Sequence, residues 1–149
     1  MTASAFLAYR VSTCPASAVP AGSGCAGSAG PNLLTARSLP WLGTTCRAEA
    51  SGVPANSLVL AAFGLGTLSQ PLAALLPQGG AGCTLLVTPD VLATIVPQAG
   101  VATIDLLIPN AAALIGGVLH EQALPFEFGA PGLLALTSSN ALTLTIGTF

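Results

Sequence analysis

Apolar and polar residues alternate over several short stretches of this chain, and residues 57–63 form an almost wholly apolar run. Proline or glycine interrupts these patterns about every eight to twelve residues. In residues 44–50, small apolar side chains take every second position, and Arg47 and Glu49 lie among the positions between them. A period of two places these sets on opposite faces of a β-strand, one of them exposed to water. The pattern therefore predicts short strands, although Leu and Ala, which favour helices, are abundant.

Turns rich in proline, glycine and asparagine separate the predicted strands. These strands cover residues 3–11, 33–37, 44–50, 57–63, 84–88, 91–96, 101–108, 117–128, 133–137 and 141–146. Residues 12–32 and 64–82 are predicted as connections, the second with an extended or helical turn at residues 72–76. Residues 97–100 are predicted to close a hairpin, with Gly100 at a positive φ. We expect an all-β fold: a β-sandwich of about eight to ten short strands, Ig-like or jelly-roll-like with Greek-key connections, and very little helix.

The length of 149 residues suits one domain with its own core. We assign residues 22–149 to the sandwich, and residues 1–21 to an N-terminal strand and loop extension. The main alternative is a bundle of membrane-spanning helices, because residues 58–76 carry no charge and a span needs about 20 apolar residues. Gly64, Gly66 and Pro71 interrupt that window, and no Arg or Lys near its ends would set an orientation, so we favour the sandwich.

Charge is scarce: 5% of the residues are charged, against roughly 25% in an ordinary soluble domain. Three Arg residues and a net charge of -2 leave no basic patch, so we expect no nucleic-acid partner. The absence of Lys excludes Schiff-base chemistry and a P-loop lysine. The hydrophobic content of 52% excludes intrinsic disorder, and the lack of charged flanks excludes a coiled coil.

Four cysteines, at positions 14, 25, 46 and 83, lack the close spacing of a zinc site, and we expect no metal and no cofactor. The even number favours two disulfides in an oxidising compartment over four reduced thiols, and three pairings are open. We favour Cys14 with Cys25, across a loop rich in glycine and proline, and Cys46 with Cys83. The N-terminus lacks the basic and apolar regions of a signal peptide, but we expect an extracellular or cell-surface protein on the assumption of a processed chain.

Four stretches in order carry a family resemblance: GSGCAGSAGP at residues 22–31, GCTLLVTPD at 82–90, IPNAAALIG at 108–116 and SNALTLTIG at 139–147. Together they resemble a β-rich domain common in secreted proteins of planctomycetes and some myxobacteria. The resemblance covers about residues 22–147 and implies an all-β fold and an extracellular location. It implies no active site, because no catalytic assignment is known for that domain. The first 21 residues, with Cys14, do not match it.

Few side chains offer catalytic chemistry. His120 beside Glu121 suggests a hydrolase base, but neighbours on a strand point to opposite faces, so we expect His120 to be a partly exposed strand residue. Pairs among four carboxylates could flank a glycosidic bond, yet loop and rim positions explain them better. Those carboxylates belong to Asp90, Asp105, Glu121 and Glu127. We therefore predict that the protein is not an enzyme.

So few charges cannot cover the surface of a 149-residue domain, and large apolar patches on soluble proteins usually mark contacts. We expect a structural protein whose copies assemble into a filament or surface layer, and which has no membrane span. The N-terminal strand could link copies by strand addition, through Phe6, Leu7, Tyr9 and Val11.

The alternative function is a secreted module that binds carbohydrate or a cell-surface partner. Trp41, Tyr9 and Phe63 would then form a platform for stacking against sugar rings. A core or rim position for Trp41 is the commoner fate of a single tryptophan.

Overall fold

A computed structural model describes residues 14–149, and strands dominate this part of the chain. In chain order the strands are β1 (Ser17–Ala21), β2 (Ala26–Gly27), β3 (Gly30–Pro31), β4 (Leu33–Ala36), β5 (Thr45–Ser51), β6 (Ser57–Gly64), β7 (Thr67–Pro71), β8 (Thr84–Val87), β9 (Val91–Ile95), β10 (Ala102–Leu107), β11 (Val118–Gly129), β12 (Gly132–Leu136) and β13 (Ala141–Thr145). Helix is limited to α1 (Leu72–Leu75) and a 3-10 turn (Ala112–Leu114). The all-β prediction is confirmed, with thirteen strands instead of eight to ten.

The main sheet is antiparallel and has the order β1-β13-β11-β6-β9, with β12 beside one end of β11. The twelve-residue β11 lies at its centre, where it pairs with β13 over His120 and its neighbours and with β6 up to Glu127. A second sheet has the order β10-β5-β4. Apolar residues from both sheets form one buried cluster, so the two sheets pack face to face as a β-sandwich.

The other face of the main sheet carries a second layer. The β7–β8 hairpin and α1 cover it and bury a smaller apolar cluster that includes Ala62, Leu72 and Leu124. Residues 58–76, the window that could have been a membrane span, are therefore divided among β6, β7 and α1. Within residues 14–149, no helix is long and apolar enough to cross a bilayer.

Two predicted connections differ in the structure. Residues 12–32 were predicted as loop, yet β1, β2 and β3 lie there, and β1 pairs with β13 from Ser17 opposite Thr145 to Ala21 opposite Ala141. The predicted domain boundary at residue 22 therefore falls after an integral strand of the sandwich. Proline and glycine gave β1 the appearance of a loop, but an edge strand tolerates Pro20.

The turn at residues 97–100 forms, with Gly100 at a φ of 81°, but it does not close a hairpin. Only Gln98 and Val101 bridge across it, because β9 continues into the main sheet beside β6 and β10 into the second sheet beside β5. The Val53 N–H donates to the Gly100 carbonyl at 3.1 Å and holds the turn at the rim of the sandwich.

The disulfide joins Cys25 to Cys83, so both favoured pairs are wrong. The bridge attaches the loop after β1 to the start of β8, in the layer outside the main sheet. Cys46 is far from that layer, because β5 directs its side chain into the core between the two sheets. The Cys14 thiol lies at 3.9 Å from the Ile146 carbonyl, at the end of β13.

Candidate assembly interface

Buried polar side chains join the layers of the sandwich. Gln122 on β11 is fully buried, and its amide group donates to the carbonyls of Thr84 and Ser139 and accepts from the Leu86 N–H. These bonds attach β8 to the main sheet, although β8 pairs with no strand of that sheet. Asn140 acts similarly on the second sheet: its amide oxygen accepts from the Leu34 N–H at 2.9 Å, and its nitrogen donates to the Leu34 carbonyl at 3.0 Å.

The polar run at residues 137–140 carries most of this network and is buried throughout. Thr137 accepts from Asn32, the Ser138 hydroxyl donates to the disulfide sulfur of Cys25, and the Ser139 hydroxyl accepts from the Ala123 N–H. Sequence reasoning missed these residues as a structural unit, because serine and asparagine between strands resemble an exposed turn. A signal was present in the SNALTLTIG motif, in which polar residues directly precede a buried strand.

A groove of about 600 Å³ runs between β1 and β4, the outermost strands of the two sheets on one side. Apolar side chains from both strands line it, with Leu142 and the Asn140 amide at its base. Leu33 is 54% exposed at the groove, and Val19, on the opposite face of β1, is 56% exposed. This side of the sandwich therefore presents two unpaired strand edges with an apolar channel between them.

Asn32 adds an unpartnered acceptor to this groove. Its side-chain nitrogen donates to the Thr137 hydroxyl at 2.8 Å, but its Oδ1 atom has no hydrogen-bond partner among residues 14–149. The residue is buried and lines the groove. A buried acceptor without a donor destabilises a fold by roughly 1–3 kcal/mol, so this atom favours an incoming N–H or O–H group.

The opposite side has the same character. There β9 and β10 are the outermost strands, and Val91, Leu92 and Leu107 are all more than half exposed. An apolar groove of about 450 Å³ opens here between the sheets, with Phe63 and Leu119 among its walls. Both lateral edges of the sandwich thus expose apolar side chains.

Four of the seven charged residues between positions 14 and 149 form two pairs. Three of the seven lie at these edges: Asp105 on β10, Arg37 directly after β4, and Asp90 directly before β9, in the wall of its groove. Arg47 binds Asp105 through two bonds of 2.7 and 2.9 Å, across β5 and β10, and these bonds hold the pKa of the Asp105 carboxyl below its ordinary value. Arg37 pairs with Glu49 on the outer face of the second sheet. Such exposed pairs contribute little to stability. Of β1, β4, β9 and β10, only β10 contains a charged residue, Asp105.

The carboxylates of the possible glycosidase pairs have separate structural partners. Asp90 accepts hydrogen bonds from the Leu65 N–H and the Thr88 hydroxyl. Both bonds lower the pKa of Asp90, and the bond from Leu65 has the larger effect. Glu127 accepts from the Ser28 hydroxyl at 2.6 Å. Asp105 is held by Arg47, as described above. These three groups thus serve a loop and strand faces, whereas the prediction of a loop or rim position is wrong for Glu121, which is buried on β11.

His120 and Glu121 point to opposite faces of the main sheet, as expected of strand neighbours. His120 Nδ1 lies 3.1 Å from the Thr143 hydroxyl, on the face that carries β7 and β8. Glu121 is 2% exposed and lies between Phe63 and Leu142 in the strand register, facing the sandwich core. The two side chains therefore do not form a base–carboxylate pair.

Burial raises the pKa of Glu121 to about 7, and its Oε1 atom has no hydrogen-bond partner in residues 14–149. Burial, followed by the charge of Glu121, also raises the pKa of the Cys46 thiol to about 11. A thiol with so high a pKa is a poor nucleophile. Glu121 and Cys46 therefore do not form a catalytic pair of base and nucleophile.

The predicted sugar platform is not assembled from the residues that the structure describes. Trp41 stacks on Phe149 with ring centroids 4.1 Å apart, and Phe63 packs against the core cluster. Tyr9 lies outside the described residues, as do the other three residues of the predicted linking strand: Phe6, Leu7 and Val11.

No group of three or more potential metal ligands occurs within residues 14–149. Comparison with protein-family models, with curated proteins and with solved structures finds no match to this chain.

Proposed function

We propose that this protein is an extracellular structural subunit whose copies assemble, edge to edge or end to end, into a filament or surface layer. The observation that carries the proposal is the character of the outermost strands. Three of the four, β1, β4 and β9, contain no charged residue, and the single charge of β10, Asp105, is already bound to Arg47.

Strand edges are templates for pairing with other chains, and soluble monomers usually protect them with lysine, proline, bulges or covering loops. Here Pro20 gives such protection on β1, and Asn140 binds both backbone groups of Leu34 on β4. The β9 edge has none, and its Leu92 is 52% exposed. A chain that leaves its edges apolar and uncharged is suited to burying them against another copy.

The Cys25–Cys83 disulfide supports the extracellular part of the proposal, because disulfides persist mainly in oxidising compartments. The resemblance of residues 22–147 to a domain of secreted proteins agrees with it.

The test is the concentration dependence of mass and shape. We expect light scattering and sedimentation of the full chain to show growth beyond the monomer, and negative-stain microscopy to show regular filaments or sheets. Leu92→Lys should raise the concentration required for assembly at least about tenfold, because a charge on an apolar edge opposes pairing.

Leu75→Lys is the matched control, because Leu75 is similarly exposed at 51% but lies on α1. We expect it to assemble like the unaltered chain. A chain that stays monomeric at millimolar concentration, or equal effects of the two lysine substitutions, would refute the proposal.

A further inference from the structure

We infer that residues 3–11 of one copy dock as an added strand in the groove between β1 and β4 of a second copy. This inference rests on the proposed function and names the contact that links successive subunits.

The segment has the pattern of a strand with one apolar face. Its odd-numbered positions, 3 to 11, are all apolar or aromatic, whereas the even positions include the polar Ser4 and Arg10 beside Phe6 and Ala8. In an extended chain, successive side chains point to opposite sides. Leu7, Tyr9 and Val11 would therefore face an apolar groove together, and the charge of Arg10 would face water.

The groove offers apolar walls and strand edges, of which the β4 edge is partly occupied by Asn140. Ala18 and Pro20 line it from β1, and Leu34 and Ala36 line it from β4. The backbone N–H and C=O of Leu34 point away from β5, because Asn140 binds both. Peptide groups alternate in direction along a strand, so those of Ala36 point the same way, toward an added strand.

Asn32 supplies an acceptor for the incoming strand. Asn32 is among the residues that line the groove, and its buried Oδ1 atom has no hydrogen-bond partner in residues 14–149. An added strand brings N–H groups at regular intervals, and one of them would satisfy this atom. Nine extended residues span about 30 Å, which exceeds the roughly 17 Å of the five-residue β1.

The direction of the chain before β1 favours a second copy as the acceptor. Ser17 lies opposite Thr145, and the Cys14 carbonyl accepts a hydrogen bond from the Thr148 N–H, so the antiparallel register persists three residues before β1. The chain thus enters β1 along the strand axis, from the end of the sandwich where β13 finishes. Its own groove would require a reversal directly before Cys14, whereas a copy placed end to end requires none.

Cysteine trapping of the full-length chain tests the contact. One protein carries Leu7→Cys and the other Ala36→Cys, both with Cys14→Ser so that this thiol does not compete. The two are mixed, oxidised mildly, separated without reductant and mapped by mass spectrometry. We expect a bridge between positions 7 and 36 of different copies. Phe6→Cys is the matched control, because position 6 faces away from the groove, and we expect at least about fivefold less bridging from it.

Assembly of charged variants gives a second measurement. Leu7→Asp should raise the concentration needed for assembly at least about tenfold, because a carboxylate would enter an apolar groove. Phe6→Asp should change it less than about twofold. Both positions precede the sandwich core, so loss of folding does not explain a difference between them.

The outcomes separate the two proposals. If the unaltered chain assembles but positions 6 and 7 bridge equally, or neither bridges, strand docking is wrong and the proposed function stands. If a chain with both Leu7→Cys and Ala36→Cys forms the bridge within one copy in dilute solution, the groove takes its own segment, and docking between copies is wrong. If the unaltered chain never assembles, both proposals fail.

Discussion

The buried carboxyl of Glu121 makes the stability of this protein depend on pH in an unusual direction. Most carboxylates of folded proteins are stabilised in the charged form, so stability falls in acid. Glu121 is 2% exposed, its Oε1 is unpartnered among the described residues, and burial raises its pKa from 4.5 to about 7. Between these two values the folded chain holds a proton that the unfolded chain has released. The free energy of unfolding therefore decreases as the pH rises through this window.

The size of the effect follows from the two pKa values. One pKa unit corresponds to about 1.4 kcal/mol, so a shift of roughly 2.5 units corresponds to about 3 kcal/mol. This contribution is fully present below pH 4.5 and is lost by about pH 8. The pKa values of Asp90 and Asp105 are lowered, so these groups act in the opposite direction, but only in stronger acid, as the pH falls below 3.8.

We predict that Glu121→Gln abolishes this pH dependence, because glutamine keeps the shape and cannot ionise. At pH 8 the variant should be about 2–3 kcal/mol more stable than the unaltered chain, and at pH 4.5 nearly equal to it. Urea unfolding followed by circular dichroism, at pH values from 4.5 to 8.5, measures this. Low protein concentration in a Leu92→Lys background limits assembly of the samples.

Glu127→Gln is the control, since Glu127 lies on the same strand with a partly exposed carboxylate bound to Ser28. We expect its stability to follow the pH dependence of the unaltered chain. If the unaltered chain becomes more stable from pH 5 to 8, or if Glu121→Gln keeps the original slope, the reasoning from burial is refuted.

Three further predictions concern the layers of the fold, each measured by urea unfolding of monomeric samples. Removing the disulfide by Cys25→Ala and Cys83→Ala should lower the free energy of unfolding by about 4 kcal/mol, because the bridge spans 58 residues. Reductant should lower the stability of the unaltered chain but leave the stability of this variant unchanged. Gln122→Leu should cost about 3 kcal/mol and speed amide exchange in β8, and unchanged exchange there would contradict its role. Gly64→Ala should destabilise by about 2 kcal/mol or more, since a Cβ atom there would overlap a backbone oxygen; Gly27→Ala, which meets only ordinary contacts, should be nearly neutral.

Strand positions were predictable because a strand face is a local property. In β5, alternation alone placed Arg47 and Glu49 outward and Cys46 inward, and the structure agrees. The same rule separated His120 from Glu121. It did not reveal that Glu121 is buried, because burial of a carboxyl depends on the second sheet packed above it.

The candidate interface was only partly predictable. Scarcity of charge indicated an apolar surface, and the N-terminal pattern indicated a strand. The grooves beside β1 and β9 could not be foreseen, because each lies between two sheets and no local pattern shows which strands become the edges of those sheets.

The sequence by itself determined the class of fold, since alternation and turn residues act over a few neighbouring positions. Tertiary structure alone decided which strands pair, that β9 and β10 separate into different sheets, and that Cys25 meets Cys83. Those choices depend on contacts between residues far apart in the chain, such as β1 with β13, and no local pattern encodes them. The fold also decided which of the uncharged strands lie at the edges of the sheets, namely β1, β4 and β9.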